Sequence, residues 1–172
     1  MAYDWLNPTR TGLLFFDMLN SSLDIFETAH KAELDQMALY TSVESVVKNA
    51  IALRNVADEA GIPVFFARAD HRPDGKDAAR LYSDTDLFLR PLKDPENDRF
   101  EGRHFFTTGT SGSAVIPELG LTEQDYLIPK LRWSAFFQTK LELSLRSRGI
   151  DTLVISGGAL EVGVVSTCYS AR

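Results

Sequence analysis

The chain has 172 residues, 44% hydrophobic and 24% charged, with 18 Lys and Arg against 24 Asp and Glu and a formal net charge of -6. One substantial core fits that length, the composition is neither disordered nor fibrous, and the scattered cations form no basic stripe, which excludes nucleic acid as a partner. A lone cysteine, Cys168, rules out an intrachain disulfide and a cysteine-based zinc site, and no stretch approaches the roughly 20 apolar residues of a membrane span, so a cytoplasmic setting with no membrane partner is expected.

In chain order, residues 1–10 read as an irregular lead-in. Thr11 to Asp17 (Thr-Gly-Leu-Leu-Phe-Phe-Asp) predicts a buried strand that closes on an acid. An aspartate at the carboxyl end of such a strand sits where open α/β sheets bind ligands, although the same residue type also caps turns. Asn20 to Tyr40 reads as partly helical and attached to one edge of the site. Thr41-Ser-Val-Glu44 has the form of a capping box, and Val43, Val46, Val47, Ala50, Ile51, Leu53, Val56, Ala57 and Ala60 form a wide apolar stripe. Gly61 and Pro63 end that helix, and Ile62 to Ala67 predicts a second strand, completing a βαβ unit with a right-handed crossover. No glycine fingerprint follows the first strand, so a dinucleotide site is not expected.

Arg68 to Asn97, broken by Pro73, Gly75, Pro91 and Pro95, reads as an excursion over the sheet edge. Asp70 and His71 are adjacent, so on an extended chain they point apart, and His30 and His104 add no ligand spacing; neither a metal nor a cofactor is expected. Arg103 to Thr107 predicts a short strand, and Thr108 to Gly112 reads as a plain connection, lacking the lysine of a phosphate loop. Ala114 to Leu119 reads as a short turn or helix. Asp125 to Lys130 (Asp-Tyr-Leu-Ile-Pro-Lys) predicts another strand, whose terminal lysine needs either water or an acidic partner.

Trp133 to Arg148 predicts a helix with apolar positions Phe136, Phe137, Leu141, Leu143 and Leu145, closed by Gly149. Leu153, Val154 and Ile155 have the continuous apolar character of a strand buried on both faces, broken by Gly157-Gly158. A helix follows from Glu161 to Ala171, with Val162, Val165, Thr167 and Tyr169 at helical spacing. Alternation of strands and helices predicts an α/β three-layer sandwich, a mostly parallel Rossmann-like sheet with helices on both faces, in a single domain over residues 1–172. In such a sheet Asp17, Lys130 and the turn from Gly157 to Gly163 share one edge. Free N-H groups at that last turn favour an anion.

The stretches Leu13-Leu-Phe-Phe-Asp-Met18, Leu127-Ile-Pro-Lys-Leu-Arg-Trp-Ser-Ala-Phe136 and Leu153 to Ala171 resemble the isochorismatase-like hydrolase superfamily, which also contains nicotinamidases and N-carbamoylsarcosine amidases. Most members of that family use an aspartate, a lysine and a cysteine nucleophile. The resemblance puts the first two on Asp17 and Lys130, and the third on Gly163, so the thiol is missing. The threonine expected three residues earlier is Leu160. Cys168 lies five residues further along a helix, a rotation of roughly 140° and a rise of about 7.5 Å, so it faces away and is expected to be a small buried hydrophobe.

Amide hydrolysis through an acyl-enzyme is closed without the thiol. Isochorismatases, the resemblance implies, carry glycine there and cleave a vinyl ether, with the aspartate as general acid and water capturing the oxocarbenium ion. On that reading Asp17 must hold a proton, so a dry pocket must raise its pKa more than Lys130 lowers it. Lys130 positions a substrate carboxylate or orients Asp17, Gly163 leaves room for substrate or water, and the backbone of Gly158, Ala159 and Leu160 offers donors. Arg68, Arg72 and Arg132 could meet the carboxylates of a small dianionic substrate. The family also implies a cis peptide near Gly158-Ala159. Two other readings stay open: an amidohydrolase relative whose nucleophile is replaced by Gly163, and a non-catalytic binding or assembly member. The family usually continues with one more strand, so either the sequence is a piece of a longer one or Leu153 to Ile155 is left at an edge that invites pairing with another subunit; a homo-oligomer is expected, as is common in the family.

Overall fold

The structure, a computed structural model, describes residues 6–29, 42–74, 76–77 and 106–172. Four strands, β1 (Thr11–Phe16), β2 (Val64–Ala69), β3 (Tyr126–Lys130) and β4 (Thr152–Gly157), form one sheet in the order β3-β2-β1-β4. Every pairing is parallel, with Phe16 opposite both Ala67 and Gly157, and Ala69 opposite Lys130. All four carboxyl ends therefore lie on one edge.

The apolar runs bury because each strand has two faces to cover. On one face Leu14, Phe16, Phe65, Ala67 and Ile128 pack with Ala135, Leu141, Leu145, Ile150 and Val164. On the other, Leu13, Phe15, Val64 and Phe66 pack with Met18, Ala50, Ala57, Ile116 and Leu119. Helix α2 (Val43–Glu59) belongs to the second face, and α3 (Leu141–Ser147) and α4 (Val165–Ser170) to the first. Helix α1 (Asn20–Ala29) follows β1. The three-layer α/β sandwich is as expected, and β4 stands at the sheet edge among the described residues.

Several local expectations differ. Ser42, not Thr41, caps α2, accepting from Ser45 N-H at 3.2 Å. The apolar stripe is narrower than its composition, since Leu53 and Val56 are exposed and only Ala50 and Ala57 are fully buried. The second strand begins at Val64, after Pro63, which has no N-H to give a ladder but whose carbonyl accepts from Leu13 N-H at 3.1 Å. Of the strand expected from Arg103 to Thr107, residues 103–105 lie outside the described residues, and Thr107 forms only an isolated bridge with His71. Residues 30–41 and 78–105, with His30 and His104, also lie outside them.

The helix expected from Trp133 exists only from Leu141. Tertiary bonds displace its first half: Ala135 N-H donates to Thr167 Oγ1 at 3.0 Å, Thr139 Oγ1 donates to Ala135 O, and Gln138 adopts φ 53°. Phe137 and Leu143 are exposed as a result. Leu153, Val154 and Ile155 are half-buried, because an edge strand is covered less than a central one. The last helix opens with a π turn, Leu160–Val164, before α4, and α4 turns Cys168 to the surface while burying Thr167, so Cys168 is not the buried hydrophobe expected.

Gly157 is the one strand glycine that geometry requires. Its φ is 128° and an added Cβ would stand 2.0 Å from Phe16 O. Substitution of Gly157 by Ala should lower unfolding stability in denaturant by more than about 2 kcal/mol, whereas Gly61→Ala, which meets no atom, should cost only about 1 kcal/mol for its positive φ. Equal losses would contradict this account of the turn.

Candidate active site

Asp17 ends β1 with its backbone in the left-handed region, φ 48°, a conformation Asp tolerates better than most residues. Its N-H donates to Ala67 O at 3.0 Å and its carbonyl accepts from Leu19 N-H at 2.8 Å, so the turn is locked on both sides. The side chain is thereby held across the ends of β2 and β3. Oδ1 accepts from Ala69 N-H at 2.9 Å, and Oδ2 accepts from Lys130 Nζ at 2.7 Å. Lys130 has the acidic partner its burial demands: its side chain is 4% exposed and that of Asp17 14%. The ammonium also lies 4.4 Å from the centroid of the Phe16 ring.

Burial pushes the Asp17 carboxyl above its ordinary value of 3.8; the Lys130 charge and hydrogen bond, the Ala69 N-H and the charge of His71 pull the other way without reversing it. The direction of the shift is the one acid chemistry requires. With each oxygen accepting one bond, the carboxyl keeps a lone pair on which to carry a proton.

The third expected component is close by. The peptide Gly158-Ala159 is cis, as the resemblance implied. Gly158 N-H donates to Phe16 O at 3.1 Å, so it is not a free donor, and Ala159 and Leu160 are left as backbone donors without a protein acceptor among the described residues. Gly163 is buried, but it does not open space for substrate or water: a Cβ there would lie 2.3 Å from Phe16 Cε1 and 2.5 Å from Cζ. The ring fills the room.

The three arginines are already engaged. Arg68 pairs with Asp70 at 3.0 Å, Arg72 grips Asp74 through Nε at 2.9 Å and Nη2 at 2.7 Å, and Arg132 Nη1 donates to the Asp77 carbonyl at 3.0 Å. Arg68 alone keeps a buried donor, Nε, with no hydrogen-bond partner among the described residues.

Sequence reasoning missed four contributors. Ala69 acts through its backbone, Phe16 through its ring, and Thr167 by donating from Oγ1 to Gly163 O at 2.7 Å while accepting from Ala135 N-H. His71, read as a surface side chain, lies within the field of Asp17, with Nδ1 3.4 Å from Asp77 Oδ1. Only Phe16 carried a signal, being the large residue directly before the acid.

Residues 11–172 match the family model described as the Isochorismatase domain. An Arabidopsis thaliana protein named as a probable inactive nicotinamidase is 32% identical over 158 residues, covering 91% of this chain and 68% of that protein. The ureidoacrylate amidohydrolase RutB of Pseudomonas syringae pv. syringae is 29% identical over 166 residues, 94% of this chain and 64% of that protein. The chain thus spans about two thirds of the length of these curated relatives. An isochorismatase family protein from Burkholderia thailandensis superposes with a TM-score of 0.68 at 28% identity, over 96% of this chain and 73% of that one. The chain belongs to the isochorismatase family of hydrolases.

Since the folded-state pKa of Asp17 lies above its unfolded value, the stability this group contributes is complete below pH 3.8 and is lost as pH rises through the folded value. Carboxyl-carbon NMR should place the Asp17 midpoint above 3.8, and Lys130→Met, which removes the largest opposing influence, should move it higher still. A midpoint at or below 3.8, or a fall in the Met variant, would refute this electrostatic picture.

Proposed function

We propose that this protein hydrolyses the vinyl ether of a small isochorismate-like carboxylate, with Asp17 as general acid. The observation that carries the reading is the buried Asp17 carboxyl, whose pKa burial raises, in a site where position 163 is a glycine and offers no nucleophile. Asp17 gives its proton to the terminal methylene carbon of the enol ether, which becomes a methyl group. The resulting oxocarbenium carbon takes up water, whose surplus proton returns to the Asp17 carboxylate. The hemiketal then collapses to a 2-keto acid and an alcohol, and atoms and charge balance over the cycle.

In this scheme Lys130 orients Asp17 and stabilises the carboxylate left after transfer, since its Nζ already lies 2.7 Å from Oδ2. Arg68 is the cation best disposed to take a substrate carboxylate through its unpaired Nε. Ala159 and Leu160 N-H groups are the remaining donors for an anionic substrate. The reading also includes a cytoplasmic setting and a homo-oligomer.

A non-catalytic binding or assembly role is the second reading, supported by the Phe16 ring in the space beside Gly163 and by the Arabidopsis relative named as inactive. An amidohydrolase pocket that has lost its thiol is the third, supported by the likeness to RutB.

Turnover of isochorismate and of a panel of small amides separates the three. Isochorismate cleavage is expected for the parent protein, reduced by about 100-fold or more in Asp17→Ala, with kcat/KM falling as pH rises through the Asp17 midpoint. Asp17→Ala leaves Lys130 buried without its partner, at a cost of about 3 kcal/mol, so its fold must be checked by circular dichroism. Amide hydrolysis appearing only when Gly163→Cys is combined with Phe16→Val would favour the lost-thiol reading, and no turnover in any protein would favour the binding role.

A further inference from the structure

We propose that Phe16 is the specificity-determining residue of this site: its ring occupies the volume that any side chain at position 163 would need, and so confines the site to chemistry without a side-chain nucleophile. The inference rests on packing geometry and holds whichever substrate is turned over.

Both partners of the contact are held in place. Phe16 is 1% exposed and belongs to the cluster of Leu14, Phe65, Ala67, Ile128 and Val164, while the Lys130 ammonium lies 4.4 Å from its ring centroid. Phe16 O is fixed by Gly158 N-H at 3.1 Å, and Gly157 approaches so closely that its own Cβ would stand 2.0 Å from that oxygen. The ring is therefore buried in a packed cluster and its backbone is tied at both Phe16 O and Gly157.

Gly163 cannot withdraw either. Its N-H donates to Ala159 O at 3.1 Å, and its carbonyl accepts from Thr167 Oγ1 at 2.7 Å, a side chain that is itself fully buried and bonded to Ala135 N-H. A Cβ placed 2.3 Å from Phe16 Cε1 is far inside van der Waals contact, so a side chain at 163 and a phenyl ring at 16 exclude each other. A thiol at 163 would therefore require a second change, at the ring.

The test is a double-mutant cycle in a Cys168→Ser background, which removes the exposed thiol of α4. It compares the parent, Gly163→Cys, Phe16→Val and the combined protein by thermal melting and by the rate of iodoacetamide alkylation at pH 7. Gly163→Cys should melt below the parent, because a methylene and a sulfur are forced against the ring. The combined protein should melt above Gly163→Cys, since the volume removed at 16 accommodates the volume added at 163, and its thiol should be alkylated at least tenfold faster. A Gly163→Cys protein that melts with the parent, or a combined protein with no gain in either measurement, would overturn the assignment. Should Gly163→Cys fail to fold, Gly163→Ala and Phe16→Leu repeat the cycle at a smaller perturbation: the combined protein must then melt above Gly163→Ala, and additive losses would overturn the proposal.

Discussion

The contact between Lys130 and Asp17 is the constraint around which this edge of the sheet is arranged. A lysine side chain only 4% exposed cannot remain charged in an apolar sandwich without a partner, and Asp17 supplies one at 2.7 Å. The two residues close strands β3 and β1, with β2 between them in the sheet, and Ala69 N-H of β2 completes the bridge to Oδ1. A single carboxyl group thus joins three strands at their carboxyl ends. The left-handed turn at Asp17 and its backbone bonds to Ala67 and Leu19 orient that carboxyl, and the sheet register brings Lys130 level with Ala69.

This arrangement was readable where it depends on strands. Apolar runs ending in Asp17, in Lys130 and in Gly157 predicted three strand ends on one edge, and parallel pairing made that placement real. The same reasoning failed wherever a tertiary bond outweighed local periodicity. Trp133 to Lys140 has helical spacing, but Thr167 takes the Ala135 N-H and Gln138 turns left-handed, so the helix waits until Leu141. Cys168 has the polarity of a core residue, but the direction of α4 is set by burying Thr167, and the cysteine faces outward. His71 reads as a surface side chain because Asp70 and His71 point apart on an extended chain and no ligand spacing accompanies them, whereas its influence on Asp17 comes from a fold-level proximity that spacing does not encode.

Position 163 shows the limit most clearly. From sequence, a glycine in place of a nucleophile reads as an open space. The structure fills that space from the opposite strand, with the residue next to the acid. Composition reports the volume that a residue contributes and is silent on the volume that its neighbours occupy.

Gly163 and the Phe16 ring are two sides of one packing arrangement. A phenyl ring, 1% exposed, fills the space that a side chain at 163 would need and lies against the Lys130 ammonium that pairs with Asp17. An aromatic face holds a cation well but solvates a carboxylate poorly. Burial is the leading cause of the raised Asp17 pKa, ahead of the lysine's opposing pull. Burial thus raises the Asp17 pKa while position 163 supplies no nucleophile, and on the proposed reading such a site gives up a proton and forms no acyl-enzyme.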